Sequence, residues 1–177
     1  MKRKRILAMI LAVASCLSLA VNASAANTVN RKATDFRDYD RTAWYAEAVS
    51  AAVDNGLLYG KSATVIYPNG DMTRAEMAAI INRSFGCYKA ADISQYKDVS
   101  KSKWYYKDVA LAVQMGTYNG RSSSAMAPDA PISRQEAMTV VARALELDYD
   151  SYSKTDLSAF SDRSEISNWA LPYVRAM

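Results

Sequence analysis

Two arginines stand sixty residues apart in the same setting: Met72-Thr73-Arg74-Ala75-Glu76-Met77 and Ile132-Ser133-Arg134-Gln135-Glu136-Ala137. A hydroxyl residue followed three positions later by Glu is a capping box, so each arginine falls at the first position of a helix. The helix dipole opposes a cation there, and folding alone favours an acid or a proline. One reading of both arginines is a solvated or salt-bridged surface charge. Their repetition at an awkward position points instead to anion recognition, with the planar guanidinium clamping a carboxylate against the helix N–H groups. On that reading Arg→Ala weakens binding with little loss of stability. Trp44, Trp104 and Trp169 each begin a helix and could pack between units or offer a flat face to a sugar ring. Asp38, Asp98 and Asp162, six or seven residues ahead of them, could close a loop onto backbone N–H groups or bind a ligand. Gly60 and Gly120 serve backbone geometry or close approach. Glu76 and Glu136 are assigned to capping, not catalysis.

Other chemistry is harder to build from these residues. The chain has no histidine, which removes Ser-His-Asp and Cys-His catalysis and nearly all zinc sites. No phosphate-binding loop or dinucleotide fingerprint appears, and the aspartates lack calcium-loop spacing. No catalytic residue, metal ligand or cofactor is therefore assigned, and the chain is read as a non-enzyme.

Residues 1–25 read as an export signal: Lys2-Arg3-Lys4-Arg5, an uncharged run from Ile6 to Val21, then Ala23-Ser24-Ala25. Val13-Ala14-Ser15-Cys16 offers a lesser alternative, a lipoprotein anchored at Cys16. The four bases of this segment account for the whole excess of 22 bases over 18 acids. The remaining chain is neutral, and its charge gives no reason to expect nucleic acid, or a membrane once the signal is cleaved. It then holds one cysteine, Cys87, read as a small packing residue.

The arginine motifs belong to a longer repeat. Residues 36–83 align with 96–143 without a gap, with thirteen identical pairs in 48 positions, among them Asp38/Asp98, Trp44/Trp104, Gly60/Gly120 and Arg83/Arg143. A third copy opens with Phe160, Asp162, Ser167 and Trp169. A period of this size predicts units that bury their apolar faces on one another. Within each unit, Thr42 or Ser102 is expected to cap a first helix running to about Asn55 in repeat 1. Its apolar stripe is Tyr45, Val49, Ala52 and Val53, and Gly56 is its left-handed stop. A turn at Pro68-Asn69-Gly70-Asp71 follows, with a short strand over Val65-Ile66-Tyr67, and then the capping-box helix from Arg74 to about Ser84. The boundaries are 1–25 signal, 26–35 lead, 36–90 repeat 1, 91–150 repeat 2, and 151–177 a linker with the start of repeat 3.

An aromatic-x-Asp, a Trp at a helix start, two glycines, a Pro turn and Met72-Thr73-Arg74-Ala75-Glu76, in that order, resemble the S-layer homology (SLH) domains of bacterial surface proteins. Gln135 is the one non-conservative departure in the second motif. The resemblance implies an all-α fold of helix–loop–helix repeats in a pseudo-threefold spindle, its third repeat truncated here. It also implies a non-catalytic module, held non-covalently at the cell surface by an anionic, for instance pyruvylated, secondary cell-wall polysaccharide or a peptidoglycan-linked glycan. The motif arginines and the Asp/Trp region would line inter-repeat grooves: Arg74, Arg134, Asp38, Trp44, Asp98, Trp104, Asp162 and Trp169. The alternatives are a structural repeat that self-associates in a surface layer, or the anchoring part of a wall-active enzyme whose catalytic domain lies outside these residues.

Overall fold

A computed structural model describes residues 31–177; the expected export signal, Cys16 and the start of the lead lie outside the described residues. Among the described residues five α-helices carry the fold: α1 (Ala46–Asp54), α2 (Arg74–Phe85), α3 (Tyr106–Gln114), α4 (Arg134–Ala144) and α5 (Leu171–Ala176). Among the described residues the only β pairing is a single antiparallel bridge between Thr73 and Pro131. The fold is all-α, as expected.

Each capping box forms. Thr73 Oγ1 accepts from Glu76 N at 3.2 Å, and Glu76 Oε2 accepts from Thr73 N at 2.8 Å. Ser133 and Glu136 repeat this pair at 3.3 and 2.9 Å. The helix starts at Arg74 and Arg134 are therefore set locally. Thr73→Ala is expected to cost about 1 kcal/mol, the usual loss for an N-cap. The urea midpoint checks it, and an unshifted midpoint would mean that the cap does not hold α2.

The first helix of each repeat starts later than expected. Thr42 does not cap it: both Thr42 N and Thr42 Oγ1 donate to Asp40 Oδ1, at 2.8 and 2.7 Å, closing an Asx turn. The chain then makes a tight turn, Ala46 N to Ala43 O, before α1 begins at Ala46. Ser102 likewise bonds Ser100 rather than capping α3. A short polar side chain offered a partner two residues back takes it in place of the helix. The C-terminal expectation holds. Gly56 N donates to Val53 O and Leu57 N to Ala52 O, a Schellman pair with Gly56 at φ +67°. The expected strand at Val65–Tyr67 is absent, because Tyr67 takes φ +59° and turns the chain out of any extended path.

The repeats interlock. The second helix of each repeat packs on the first helix of the next, α2 on α3 and α4 on α5, and α2 also meets α4. The main core follows from this. Ala75, Ala78 and Ile81 of α2 join Tyr105, Val109 and Ala112 of repeat 2 in one buried cluster, while repeat 1 keeps a small cluster around Phe36, Val53 and Ile66. The same apolar stripe is thus mostly buried in repeat 2, where α2 packs on α3, and mostly half-covered in repeat 1. Asn82 pins the α2–α3 contact, its Nδ2 donating to Asp108 O at 2.8 Å. Gln135 has a matching part at the next junction: its Oε1 accepts from Ser167 N at 2.8 Å, tying α4 to the start of repeat 3.

Candidate functional site

The interlocking creates two grooves, one at each repeat junction. The first, about 510 Å³, is bordered by Gly60, Lys61 and Glu76 of repeat 1 and by Trp104 of repeat 2. The second, about 470 Å³, is bordered by Gly120, Arg121 and Glu136 of repeat 2 and by Trp169 of repeat 3, with Arg74 reaching in from repeat 1. The two have the same plan: a glycine and a base from a loop, a capping-box Glu, and the tryptophan of the following repeat.

The tryptophans are not core residues. Trp44 is 91% exposed, Trp104 60% and Trp169 52%. The burial expected of a large aromatic goes to its neighbour instead: Tyr105 is 1% exposed and braces Trp104 edge-on, ring centroids 5.4 Å apart. Tyr105 also donates its hydroxyl to Asp129 Oδ2 at 2.9 Å; burial first, then that carboxylate, pushes its pKa up to about 12. Trp104 and Trp169 thus stand in the turns just before α3 and α5, half or more exposed at the grooves, whereas Trp44 lines neither groove.

The aspartates close loops. Asp38 accepts from Ile66 N at 2.9 Å and Tyr67 N at 2.6 Å, and Asp98 from Met126 N at 2.9 Å and Ala127 N at 2.7 Å. Neither lines a groove. Asp162 is exposed and has no such pair of bonds, standing only before a 3-10 turn at Arg163–Glu165. Gly60 and Gly120 pass through the closed loops. A Cβ on Gly60 would stand 2.6 Å from the Phe36 ring and 2.7 Å from Val65 O, and one on Gly120 would strike Tyr96 and two carbonyls.

The two arginines, alike in their capping-box position, differ completely in place. Arg74 is 5% exposed. Its Nη1 meets Glu136 Oε1 at 2.8 Å, Nε donates to Met126 O at 3.0 Å, and Nη2 donates to Asn119 O at 3.2 Å. The guanidinium also lies over the Tyr118 ring, 5.2 Å from its centroid. Arg74 is therefore not a surface charge, and the first N–H groups of its helix are not open to an anion. Arg74 N donates to Ala130 O at 3.0 Å and Ala75 N to Pro128 O at 2.9 Å, so repeat 2 already fills the orphan donors. The dipole penalty is offset by Glu136 across the junction. Arg134 is exposed and lines neither groove.

Sequence reasoning missed the bases that do face the grooves. Arg121 Nη2 bonds Glu136 Oε2 at 3.2 Å, and Lys61 Nζ sits 2.6 Å from Glu76. Their signal was a base directly after each repeated glycine. Arg83 and Arg143 belong to the repeat's identical pairs, and the structure lays Arg83 over Tyr59 at 4.1 Å and Arg143 over Tyr173 at 4.9 Å.

Charge at the junction is tuned toward ionised carboxylates. Burial of Glu136 opposes its charge, but Ser133 N–H, Arg74 and Arg121 outweigh this and hold its pKa below the ordinary 4.5. For Asp98 burial is again opposed, by the Met126 and Ala127 N–H groups, and its pKa falls below 3.8. A depressed native pKa contributes stability above the unfolded-state value and loses it as pH falls through the native one. Stability is therefore expected to stay level near neutrality and to drop below about pH 4, with a shallower acid slope in Glu136→Gln. Urea midpoints measured against pH test this; an unchanged slope in the variant would remove Glu136 from the acid transition.

The family description "S-layer homology domain" matches residues 35–78 and 95–138, each span running from the aromatic-x-Asp region into the capping-box helix. The chain is a tandem SLH protein. It is 32% identical over 143 residues to the surface-layer 125 kDa protein of Lysinibacillus sphaericus, a match covering 80% of this chain and 12% of that protein. It is 27% identical over 170 residues to an endoglucanase of Bacillus sp. (strain KSM-635), covering 94% of this chain and 18% of the relative. A cell surface protein of Thermoanaerobacter kivui is 27% identical over 141 residues, covering 77% and 18%. The SLH chain thus spans less than a fifth of each of these relatives. No helix among its described residues is long and apolar enough to cross a membrane.

Proposed function

We propose that this SLH chain is a non-catalytic anchoring module. It is exported through residues 1–25 and held at the bacterial cell wall by non-covalent binding of an anionic secondary wall polysaccharide, for instance a pyruvylated one. The observation that carries the reading is the repeated groove, in which an exposed tryptophan borders two successive junctions, with Arg121 at the rim of the second. A flat apolar face with a nearby fixed cation suits a sugar ring bearing an acid group. Arg121 replaces the motif arginine as the cation at the rim of the second groove, since Arg74 is committed to holding the junction. In this reading Trp104 and Trp169 supply the stacking faces, Gly60 and Gly120 shape the loops beside them, and Trp44 and Arg134 are the parts that a pseudo-threefold closure would bring into further grooves. The relative named as an endoglucanase supports a larger protein in which the SLH part anchors an enzyme.

The decisive experiment is sedimentation of the purified chain with wall sacculi. Binding is expected, and it should vanish when the non-peptidoglycan polymer is stripped from them. Binding that survives stripping would overturn the polysaccharide reading. A second reading, self-association in a surface layer, is favoured by the relative named as a surface-layer protein; it predicts concentration-dependent assembly without any wall.

A further inference from the structure

The two grooves share a plan but not a chemistry. Ionisable side chains of the second groove are three bases, Arg74, Arg121 and Arg143, against one acid, Glu136. The first groove has two bases, Lys61 and Arg83, against two acids, Asp71 and Glu76. Lys61 is paired with Glu76 at 2.6 Å, as Arg121 is with Glu136, so the difference lies in the balance: the first groove has no base in excess and the second has two. The first groove therefore offers no surplus cation to an anionic ligand. It offers aromatic surface: Tyr67 is 61% exposed and lines the same groove as Trp104.

Tyr67 stands where the fold least favours it. Its φ of +59° lies in the left-handed region, which side chains with a Cβ disfavour. The conformation itself belongs to the loop. Ala127, the same position in repeat 2, has φ +54°, and in both loops an Asp carboxylate binds the N–H of this residue. Glycine or asparagine would fill such a position with less strain, so a tyrosine there does nothing for the turn. Its ring is also seated. A Cβ at Gly70 would collide with the Tyr67 ring, so the absence of a side chain at Gly70 is what lets the ring lie across the turn. Repeat 2 carries Ala127 and Ala130 at these two places and has no platform.

We propose that the first groove stacks an uncharged pyranose unit of the wall polymer, with Tyr67 seated on Gly70 as the platform and Trp104 as the second ring, while the acidic unit falls to the second groove. This rests on the polysaccharide reading above. It assigns the two junctions different parts of one ligand, where a simple repeat would bind the same unit twice.

The test uses the full chain and two probes: sacculi with intact polymer, and sacculi whose acid-labile substituents have been removed by mild acid. Tyr67→Ala is expected to weaken binding to both by about tenfold, a ring contact's worth. Tyr67→Phe should stay within about twofold. The double variant Tyr67→Ala/Gly70→Ala should match Tyr67→Ala; it reproduces the pair that repeat 2 already folds with, which guards against a folding defect. Arg121→Ala should weaken binding to intact sacculi most at low salt and leave binding to the acid-treated ones unchanged, whereas the Tyr67→Ala loss should be independent of salt. Parent-like binding by Tyr67→Ala beside weakened binding by Arg121→Ala would overturn the platform and leave the polysaccharide reading standing. No sedimentation of the parent chain with intact sacculi would overturn both.

Discussion

Arg74→Ala is expected to destabilise the chain by about 3–4 kcal/mol, while Arg134→Ala costs less than about 0.5 kcal/mol. The two residues share a motif and a helix position, so the contrast isolates their surroundings. Removing the Arg74 side chain leaves Glu136 with Arg121 as its one remaining ion-pair partner among the described residues and strips Met126 O and Asn119 O of their donor at a buried junction. Arg134 is exposed and has none of these partners among the described residues. Arg74→Lys should recover only a minor share, because an ammonium on a flexible stem cannot reach a carboxylate and two carbonyls in three directions at once. Urea unfolding of the three variants measures this. Equal midpoints for Arg74→Ala and Arg134→Ala would mean that the cross-repeat bonds contribute nothing net. A binding assay on Arg74→Ala alone would confound loss of a ligand contact with loss of the junction, which makes Arg121 the better probe of the groove.

Gly120→Ala is expected to cost about 3 kcal/mol or more, and Gly116→Ala only about 1 kcal/mol. Both glycines recur in the repeat, but the reasons differ. Gly116 has φ +72° and open space around a built Cβ, so alanine there meets only the left-handed backbone penalty. At Gly120 the Cβ would meet the carbonyls of Ser122 and Ala125 and the ring of Tyr96. Those carbonyls belong to a loop already tied down: Ser122 N donates to Ala125 O, and Asp98 holds Met126 next to it. The loop has nowhere to go, and Met126 is also an acceptor for Arg74, so the strain reaches the junction. Thermal unfolding of both variants is the check. A Gly120→Ala midpoint no lower than that of Gly116→Ala would show that the loop yields.

By itself, the sequence determined what is local or periodic. The capping boxes at Thr73 and Ser133 were legible because a hydroxyl and a glutamate three residues apart satisfy each other's backbone with no help from the rest of the chain. Gly56 was legible as a helix stop for the same reason. The sixty-residue period marked the repeats, and with the ordered Asp, Trp, Gly, Pro and Arg elements it pointed to the SLH family before any fold was seen. What the motif residues touch was a matter of tertiary structure. Arg74 and Arg134 are the same residue at the same place in a capping box, yet the first is buried against Glu136 from sixty-two positions away and the second faces solvent. No local pattern encodes that, since it depends on which loop of another repeat arrives. The tryptophans show the same limit: size favours burial, but the interlocking of α2 on α3 gave the core position to Tyr105 and left Trp104 at the groove. Local sequence decides where each helix starts; the packing of one repeat on the next decides which of its side chains are left to meet a ligand.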